Sequence, residues 1–192
     1  MKNMKKSFYA LSFVLICLFV IGAGRIGDST GGFNPLGKNI SEFKSGGIDN
    51  VPAPENYGQF IQVNCSMVSP YSANELVNNS NLAFYGTFKE FSSNWSTPDQ
   101  IPPEKPYDAI VSGDLMFSDA VFIIDDSITG TSGTEAVIRL DGGEVNDVVI
   151  YYAGPPSPWD FKQGNEYLIY ASNSDSGESY YILPGGVFNV EK

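Results

Sequence analysis

The sequence predicts an all-β protein with one short helix, folded as a small antiparallel barrel or sandwich behind an N-terminal targeting segment. Two observations carry this prediction. The chain has 192 residues, of which 14% are aromatic, with 20 glycines and 12 prolines, a composition typical of a turn-rich β-protein. Its apolar segments are short and bounded by Gly, Pro, Asn and Asp, whereas only one segment carries a helix-start signal.

The first domain boundary follows a targeting segment over residues 1–25. Three lysines precede an apolar run over residues 8–23, and Arg25 closes that run. A basic region followed by an apolar region is the pattern of an export signal, and Gly22 and Gly24 supply small residues for cleavage before Arg25. The run lies close to the lower limit of about 17 residues for a membrane span, so an uncleaved single-pass anchor is the alternative. Both alternatives place the rest of the chain outside the cell, either secreted or tethered to the membrane.

A flexible linker is predicted over residues 26–57. This stretch is rich in Gly, Ser, Asn and Pro, and no period of 2 or 3.6 persists in it. The apolar strand segments begin after it, so the β-domain is predicted over residues 58–192.

The first half of the domain is predicted to contain one helix between two strands. Residues 60–63 form a short strand candidate. Ser72 and Glu75 have the spacing of a capping box, which predicts the start of a short helix. Residues 82–91 then place apolar side chains on one face of a strand, and Gly86 predicts a bulge or tight bend within it.

The second half is predicted to contain further strands. Residues 120–124 are nearly all apolar, which predicts burial on both faces of a sheet. Residues 135–140 and 147–152 flank an Asp-Gly-Gly-Glu turn signal and predict a hairpin. Residues 180–183 follow a polar loop, and residues 187–190 are predicted to close the sheet.

The segment over residues 161–171 joins a polar Gly turn to a dense aromatic and aliphatic strand. The two-residue period places Tyr167, Ile169 and Ala171 on one face and the residues between them on the other. Because both faces are apolar, the segment is predicted to be a central strand packed on both sides.

The order of these pieces resembles a known family. The chain has Cys65, a short helix, a strand through residues 84–87, a hairpin with a Gly-Gly turn and the strand over residues 161–170. This layout resembles the OB-like barrel of netrin modules and tissue inhibitors of metalloproteases, and that of uncharacterised secreted microbial domains. The likeness covers residues 61–192 and implies an OB-like barrel.

The resemblance implies a function less directly. In the inhibitors a free N-terminal Cys chelates the zinc of the protease, and Cys65 with Ser66 stands at the comparable place. This chain departs from that pattern, because Cys65 lies behind a linker with its amine in a peptide bond, and the disulfide partners of the family are absent. Fold analogy alone does not imply function.

Composition excludes several chemistries. The chain has no histidine, which excludes Ser-His-Asp and Cys-His catalysis and every His-containing zinc site. It has no Gly-rich phosphate loop and no nucleophile elbow. After residue 25 the chain carries seven basic and 22 acidic residues, a formal net charge of −15, which predicts repulsion of nucleic acids and anionic lipid headgroups. No catalytic residue, cofactor or metal is therefore predicted.

Two polar candidates remain. Cys65, the one cysteine after the leader, is expected to be a buried small hydrophobe, with an intermolecular disulfide to a partner as the alternative in an oxidising exterior. Asn173, Asp175 and Glu178 alternate oxygen ligands in the manner of a calcium loop. The 12-residue spacing of such loops is missing, so a solvated hairpin loop is favoured over a calcium site.

Trp95 and Trp159 are the ligand-binding candidates. Both lie in Pro-rich stretches, where exposed aromatic side chains stack on sugars or anchor a protein partner. The ordinary alternative is that they pack over an open end of the barrel. Sequons mark four possible glycan acceptors in an exported chain, at Asn39, Asn64, Asn78 and Asn94.

The sequence therefore favours a non-enzymatic binding or interaction module at the cell surface, whose partner is a protein or a glycan. One alternative is a metalloprotease inhibitor, which requires cleavage just before Cys65. The other is an extracellular hydrolase that uses two carboxylates, a function suggested only by the many Asp and Glu residues.

Overall fold

Nine strands and one α-helix form the part of the chain that the structure, a computed structural model, describes. That part comprises residues 38–44, 47–51, 58–65, 68–96, 116–130, 133–173 and 179–191. The strands are β1 (Ile40–Glu42), β2 (Gln59–Asn64), β3 (Leu82–Trp95), β4 (Met116–Thr129), β5 (Glu135–Asp141), β6 (Gly143–Val145), β7 (Val148–Ala153), β8 (Glu166–Asn173) and β9 (Tyr180–Val190). Helix α1 spans Ala73–Asn79, and 3₁₀ turns occupy Gly47–Asn50 and Pro158–Asp160.

The targeting segment over residues 1–25 lies outside the described residues. Within the described part of the chain, no helix has both the length and the apolar character needed to cross a membrane.

Five strands close a barrel. Strand β3 pairs with β4 and β8, β4 pairs with β5, and β9 joins β5 to β8. Numbered from β3, the hydrogen-bonded order around the ring is 1-2-3-5-4-1. The contact between β5 and β9 is parallel, and the other pairs in the ring are antiparallel. The prediction of a small all-β barrel with one short helix is confirmed.

The barrel is filled by side chains that alternate along its strands. Ring pairs join Phe84, Phe88, Phe122, Phe161 and Tyr167, with ring centroids 5.1–6.3 Å apart. Edge-on and tilted aromatic pairs of this kind are favourable beyond the area that they bury. The aromatic centre therefore holds the strands around one interior.

Strand β8 is the central strand that the sequence predicted. It pairs with β3 on one side and with β9 on the other. Tyr167, Ile169 and Ala171 face the barrel interior, while Leu168 and Tyr170 pack on the opposite side with α1. The prediction for both faces is confirmed.

The predicted helix start and strand bulge are both present. The backbone N–H of Ser72 donates to Glu75 Oε2 at 2.7 Å, and the N–H of Glu75 donates to Ser72 Oγ at 3.4 Å, which completes the capping box. The register of β3 against β4 shifts between Tyr85 and Gly86. A Cβ on Gly86 would lie 2.9 Å from the carbonyl oxygen of Ile123, so only glycine fits there.

The linker prediction over residues 26–57 needs correction, because residues 38–44 and 47–51 belong to the fold. Strand β1 pairs with the end of β9. Phe43 then stacks on Phe161 with ring centroids 5.2 Å apart, and Val51 is buried. Each of the two pieces is too short to show a hydrophobic period in the sequence. Their side chains are buried by contacts with residues far away along the chain.

A second sheet of three strands, in the order β2-β7-β6, packs beside the barrel. Strand β2 runs parallel to β7, a pairing that the antiparallel prediction did not include. The predicted hairpin between residues 135–140 and 147–152 is also wrong, because β5 and β7 lie in different sheets. The hairpin is β6–β7, and its turn contains Asn146 with φ 54°.

Gly142 and Gly143 instead mark the point where the chain leaves the barrel for the second sheet. Gly143 has φ 144°, and a Cβ there would overlap the hydroxyl oxygens of Ser93 and Ser118. Those two hydroxyls are 2.8 Å apart, and Ser118 donates to the carbonyl oxygen of Gly142 at 2.7 Å. The close approach of backbone and hydroxyls requires glycine.

Candidate functional site

The outward side chains of β4, β5 and β9 form one continuous surface. Alternate residues of β4 and β5 point into the barrel and are buried, so the residues between them point outward. The register sets Asp119, Arg139 and Tyr181 side by side across the three strands. We call this surface the β4–β5 face, and it comprises Phe117, Asp119, Val121, Ile123, Glu135, Val137, Arg139 and Tyr181.

Large apolar side chains are exposed on this face. Ile123 is 44% exposed, Val137 48% and Tyr181 38%. In the described part of the chain, the other exposed large apolar residues are Val68 and Val77, which lie outside this face. A contiguous exposed apolar surface on a folded protein commonly marks an interaction site.

This face corrects the prediction that residues 120–124 are buried on both sides. Ala120 and Phe122 are fully buried in the barrel, but Val121 is only half-buried and Ile123 is exposed. Nothing in the described residues covers the outer side of β4 at Ile123. Alternate residues of this apolar run therefore face the barrel core and the outer surface of the barrel.

Arg139 is the charged centre of the face. Its Nε donates to Asp119 Oδ1 at 2.9 Å and its Nη2 donates to Asp119 Oδ2 at 3.2 Å, a bidentate geometry. The guanidinium carbon lies 3.8 Å from the ring centroid of Phe117. The hydrogen bonds to Asp119 raise the pKa of Arg139 although burial opposes them, and the neighbouring Tyr181 hydroxyl adds to the rise. The guanidinium is thus fixed in place between an aromatic ring and a carboxylate.

A cavity of about 280 Å³ opens beside this ion pair. It lies at the N-terminal side of the short parallel contact between β5 and β9. Its lining combines carboxylates, a guanidinium, a hydroxyl and apolar groups: Leu82, Asp119, Glu135, Ala136, Val137, Arg139, Ser179 and Tyr180. Glu135 also accepts a hydrogen bond from Lys89 at 3.1 Å. The cavity therefore presents both donors and acceptors next to an apolar floor.

Trp95 does not lie in an exposed loop. It is the last residue of β3 and is 1% exposed. It packs with Ile61, Met116, Ile150 and Tyr152 between the barrel and the second sheet. The structure corrects its role as a ligand-binding candidate, because a buried indole presents no ring face to a ligand; the ring packs against the second sheet and not over an open end of the barrel.

Trp159 lies in the 3₁₀ turn Pro158–Asp160 and is half-buried. It packs edge-on to Phe91, with ring centroids 6.2 Å apart, and against the buried pair Val149 and Tyr151. Alternate residues of β7 thus contact the two tryptophans on opposite sides of the second sheet. The structure does not bring Trp95 and Trp159 together on one surface.

The turn that carries Trp159 is held by a buried carboxylate. Asp160 Oδ2 accepts hydrogen bonds from the backbone N–H of Ser157 at 2.9 Å and from its hydroxyl at 3.0 Å. Asn50 donates to Asp160 Oδ1 at 3.0 Å. Asp160 therefore ties the 3₁₀ turn Gly47–Asn50 to the 3₁₀ turn of Trp159, a structural role.

Cys65 is exposed, and its expected burial is wrong. It follows the last residue of β2, and its backbone N–H donates to the carbonyl oxygen of Ala153 at 3.2 Å. The parallel contact with β7 continues to this point, so the backbone of Cys65 is fixed while its side chain faces solvent.

Of the three calcium candidates, only Asn173 belongs to the described residues. Asn173 ends β8, is exposed, and its backbone N–H donates to Asn81 Oδ1 at 2.9 Å. Asp175 and Glu178 lie outside the described residues. In the described ranges, no group of three or more Cys, Asp or Glu side chains is arranged to hold a metal ion.

The sequons differ in exposure. Asn39, Asn64 and Asn78 are exposed, whereas Asn94 is half-buried within β3. Glycosylation at these four positions stays a prediction.

A second polar cluster lies on the barrel wall at Lys38. Its ammonium contacts Asp126 Oδ2 at 2.9 Å and Glu166 Oε1 at 2.6 Å, above the ring of Tyr85. The cluster joins the segment before β1 to β4 and β8, which flank β3. It brings two carboxylates close together, but an ammonium group lies between them.

The sequence missed the β4–β5 face for two reasons. The pairing of Arg139 with Asp119 joins residues 20 positions apart, and no local pattern predicts it. The apolar residues that are exposed on this face are identical in type to those of the core. The alternation in residues 135–140, with Arg139 and Glu135 on one side, was the one signal that pointed to a solvated outer face.

In comparisons with known proteins, no protein-family model matches the chain, and no match is found among curated proteins or among solved structures.

Proposed function

We propose that the protein is an extracellular, exported or membrane-tethered binding module without enzymatic activity, and that it holds its partner on the β4–β5 face. One observation carries this proposal: Ile123, Val137 and Tyr181 are exposed together on one side of the barrel, beside a cavity with a fixed ion pair. Exposed apolar side chains that are grouped in this way commonly mark an interaction site. The extracellular location rests on the basic and apolar leader at residues 1–25.

The net charge of the chain after residue 25 restricts which partners can bind. A formal net charge of −15 after residue 25 repels nucleic acids and anionic lipids. Partners that are neutral or basic at the point of contact are therefore favoured.

Paired substitutions test the role of the face. Purified full-length protein is applied to arrays of defined cell-surface proteins and of immobilised glycans. Val137→Glu places a charge among the exposed apolar side chains of the β4–β5 face, and Val68→Glu makes the same change at a valine that is 59% exposed elsewhere. We expect Val137→Glu to weaken binding about tenfold or more, equivalent to about 1.4 kcal/mol, and Val68→Glu to leave it unchanged. Equal effects of the two variants, or no binding by the native protein, would overturn the proposal.

Metalloprotease inhibition is the weaker hypothesis. It requires a free amine at Cys65, and therefore cleavage of the chain just before that residue. Such a cut would separate β1 and β2 from the domain, although β2 pairs with β7 over six residues and supplies the buried side chain of Ile61. N-terminal sequencing of the mature protein tests this hypothesis, because any start before Cys65 blocks chelation by its amine.

A carboxylate-based hydrolase is also disfavoured. Asp126 and Glu166 form a close carboxylate pair, but both contact the ammonium of Lys38, which lies where a substrate would need to be. The carboxylates of the cavity, Asp119 and Glu135, contact Arg139 and Lys89. Hydrolysis of this kind needs two carboxyl groups that flank a bond of the substrate, and here cationic side chains already contact the carboxylates at both places.

A further inference from the structure

The cavity beside Arg139 has the size of a small ligand site. Its volume is about 280 Å³, just below the roughly 300–1,000 Å³ that ligand sites occupy. A single six-membered ring with its substituents fits such a space, whereas a folded domain would contact only its rim. The partner group that enters it must therefore be small.

The charges of the cavity disfavour an ionic ligand. Arg139 is neutralised by the bidentate contact with Asp119, and Glu135 is contacted by Lys89. An anion would have to displace Asp119 and would meet the carboxylate of Glu135 in an acidic protein. A metal ion would find two separate carboxylates, each with a cationic partner.

The hydrogen-bonding capacity of the lining fits hydroxyl groups. A guanidinium has five N–H donors; Arg139 directs two of them to Asp119 and makes a further side-chain hydrogen bond with Tyr181. Each carboxylate oxygen accepts more than one hydrogen bond, so Asp119 and Glu135 retain acceptor capacity beside those donors. The hydroxyl of Ser179 both donates and accepts. A ligand hydroxyl, which also donates and accepts, can pair with each of these groups.

The remaining lining is apolar. Ala136, Val137 and Leu82 contribute aliphatic carbon, and Tyr180 contributes an aromatic ring. The C–H face of a pyranose ring packs on such groups, while its hydroxyls point to the polar rim. A uniformly polar or uniformly apolar ligand would leave one half of the lining unmatched.

We propose that this cavity binds a neutral pyranose sugar unit, held by Arg139, Asp119 and Glu135 through its hydroxyls. The inference rests on the proposed function and names the ligand class of the same face. Arg139 orients the hydroxyls because Asp119 and Phe117 fix its guanidinium plane.

Five pyranose sugars of three charge types test the ligand class. Full-length protein is titrated with methyl glucoside, methyl galactoside and methyl mannoside as neutral probes, with methyl glucuronide as the anionic probe and glucosamine as the cationic probe. Ligand-observed saturation-transfer NMR measures binding, and the methyl signals of Ala136 and Val137 report its place. We expect at least one neutral probe to bind and to shift those methyl signals, and methyl glucuronide to bind about tenfold or more weakly.

Matched variants test the residues. Arg139→Lys keeps the charge but removes the planar guanidinium, and we expect it to lower the affinity for the neutral probe by roughly ten- to hundredfold. Glu135→Gln, at a half-exposed position that does not depend on core packing, is expected to weaken it severalfold. Glu42→Gln makes the same change at an exposed residue of β1 and is expected to have no effect.

Each outcome separates the two proposals. Binding of a neutral probe that Arg139→Lys and Glu135→Gln weaken supports the inference. If no neutral probe binds, if the glucuronide binds most tightly, or if Glu42→Gln matches Glu135→Gln, the inference is overturned. In those cases the proposed function would still be upheld if a protein on the arrays binds the native chain and loses binding to Val137→Glu. If no protein on the arrays behaves in this way, the proposed function is overturned as well.

Discussion

Lys38 joins the segment before β1 to the barrel, and its replacement gives the sharpest test of the corrected domain boundary. The ammonium lies 2.6 Å from Glu166, whose side chain is 20% exposed, and 2.9 Å from Asp126, whose side chain is 47% exposed. It also lies 4.6 Å from the ring centroid of Tyr85. Lys38→Met keeps the apolar stem and removes only the charge and its donors.

The expected magnitude follows from these exposures. Partly exposed ion pairs contribute about 0.2–1 kcal/mol each, and solvent screens the more exposed partner more strongly. We assign about 1 kcal/mol to the contact with Glu166 and about 0.3 kcal/mol to the contact with Asp126. With a cation–π contribution of about 0.5 kcal/mol, Lys38→Met should lower the free energy of unfolding by about 1–2 kcal/mol.

Double-mutant cycles with urea denaturation measure these contributions at pH 7. Lys38→Met is combined with Glu166→Gln and, separately, with Asp126→Asn. The coupling energy should be larger for Glu166 than for Asp126. Lys89→Met serves as the control. Among the described residues Lys89 contacts the carboxylates of Glu90 and Glu135, which are 64% and 49% exposed, so this variant should leave the free energy of unfolding unchanged within error.

The pH dependence gives an independent check. Burial lowers the pKa of Lys38, but the hydrogen bonds and charges of Glu166 and Asp126 outweigh it, so the folded-state pKa lies above the usual value. A raised pKa stabilises the fold at every pH below the unfolded-state value of about 10.4 and loses that effect only as the pH rises through the folded-state value. The difference in the free energy of unfolding between the native protein and Lys38→Met should therefore be constant from about pH 7 to 9 and become smaller at higher pH. Equal coupling to both carboxylates, or no coupling at all, would refute this account of how the segment is held.

Three further predictions concern the fold. In thermal denaturation, Gly143→Ala should destabilise the protein by about 1 kcal/mol or more beyond the effect of Gly164→Ala. Both glycines have positive φ, but only at Gly143 would an added Cβ press against neighbouring side chains. Equal effects of the two variants would contradict this steric explanation. Iodide should quench the fluorescence of a Trp95→Phe variant, which retains half-buried Trp159, more than that of a Trp159→Phe variant, which retains buried Trp95; the reverse order would show that Trp95 is exposed. Burial raises the pKa of Tyr152 to about 12, so absorbance titration should show one phenol fewer ionising near this pH in Tyr152→Phe. Because the unfolded phenol ionises near pH 10, Tyr152 should also contribute to loss of stability between about pH 10 and 12 but not below it.

The elements that were predicted correctly depend on local rules. The capping box at Ser72 and Glu75 needs only residues three positions apart. The two apolar faces of β8 follow from the alternation of side chains along a strand. The bulge at Gly86 follows from the one residue without a Cβ in an apolar strand. Each rule applies before any distant segment is placed.

The elements that were predicted wrongly depend on which segments meet. The Gly142-Gly143 turn signal is consistent with a hairpin, but β5 pairs with β4 and β9, so the chain turns into the second sheet instead. Residues 38–51 carry no periodic pattern, yet β1 finds a partner in β9. The Pro-rich stretch around Trp95 suggests an exposed position, although its backbone extends β3 and the second sheet covers its ring.

By itself the sequence determined the class of the fold, the absence of histidine chemistry and the acidic character of the body, because composition and short-range periodicity carry that information. Only the tertiary structure decided which apolar side chains face solvent. Ile123 and Phe122 are adjacent, equally apolar residues of one strand, and the closure of the barrel buries one and exposes the other. The same closure sets Arg139 against Asp119 beside a cavity. The candidate site is therefore a product of strand pairing over long separations, for which no local sequence rule exists.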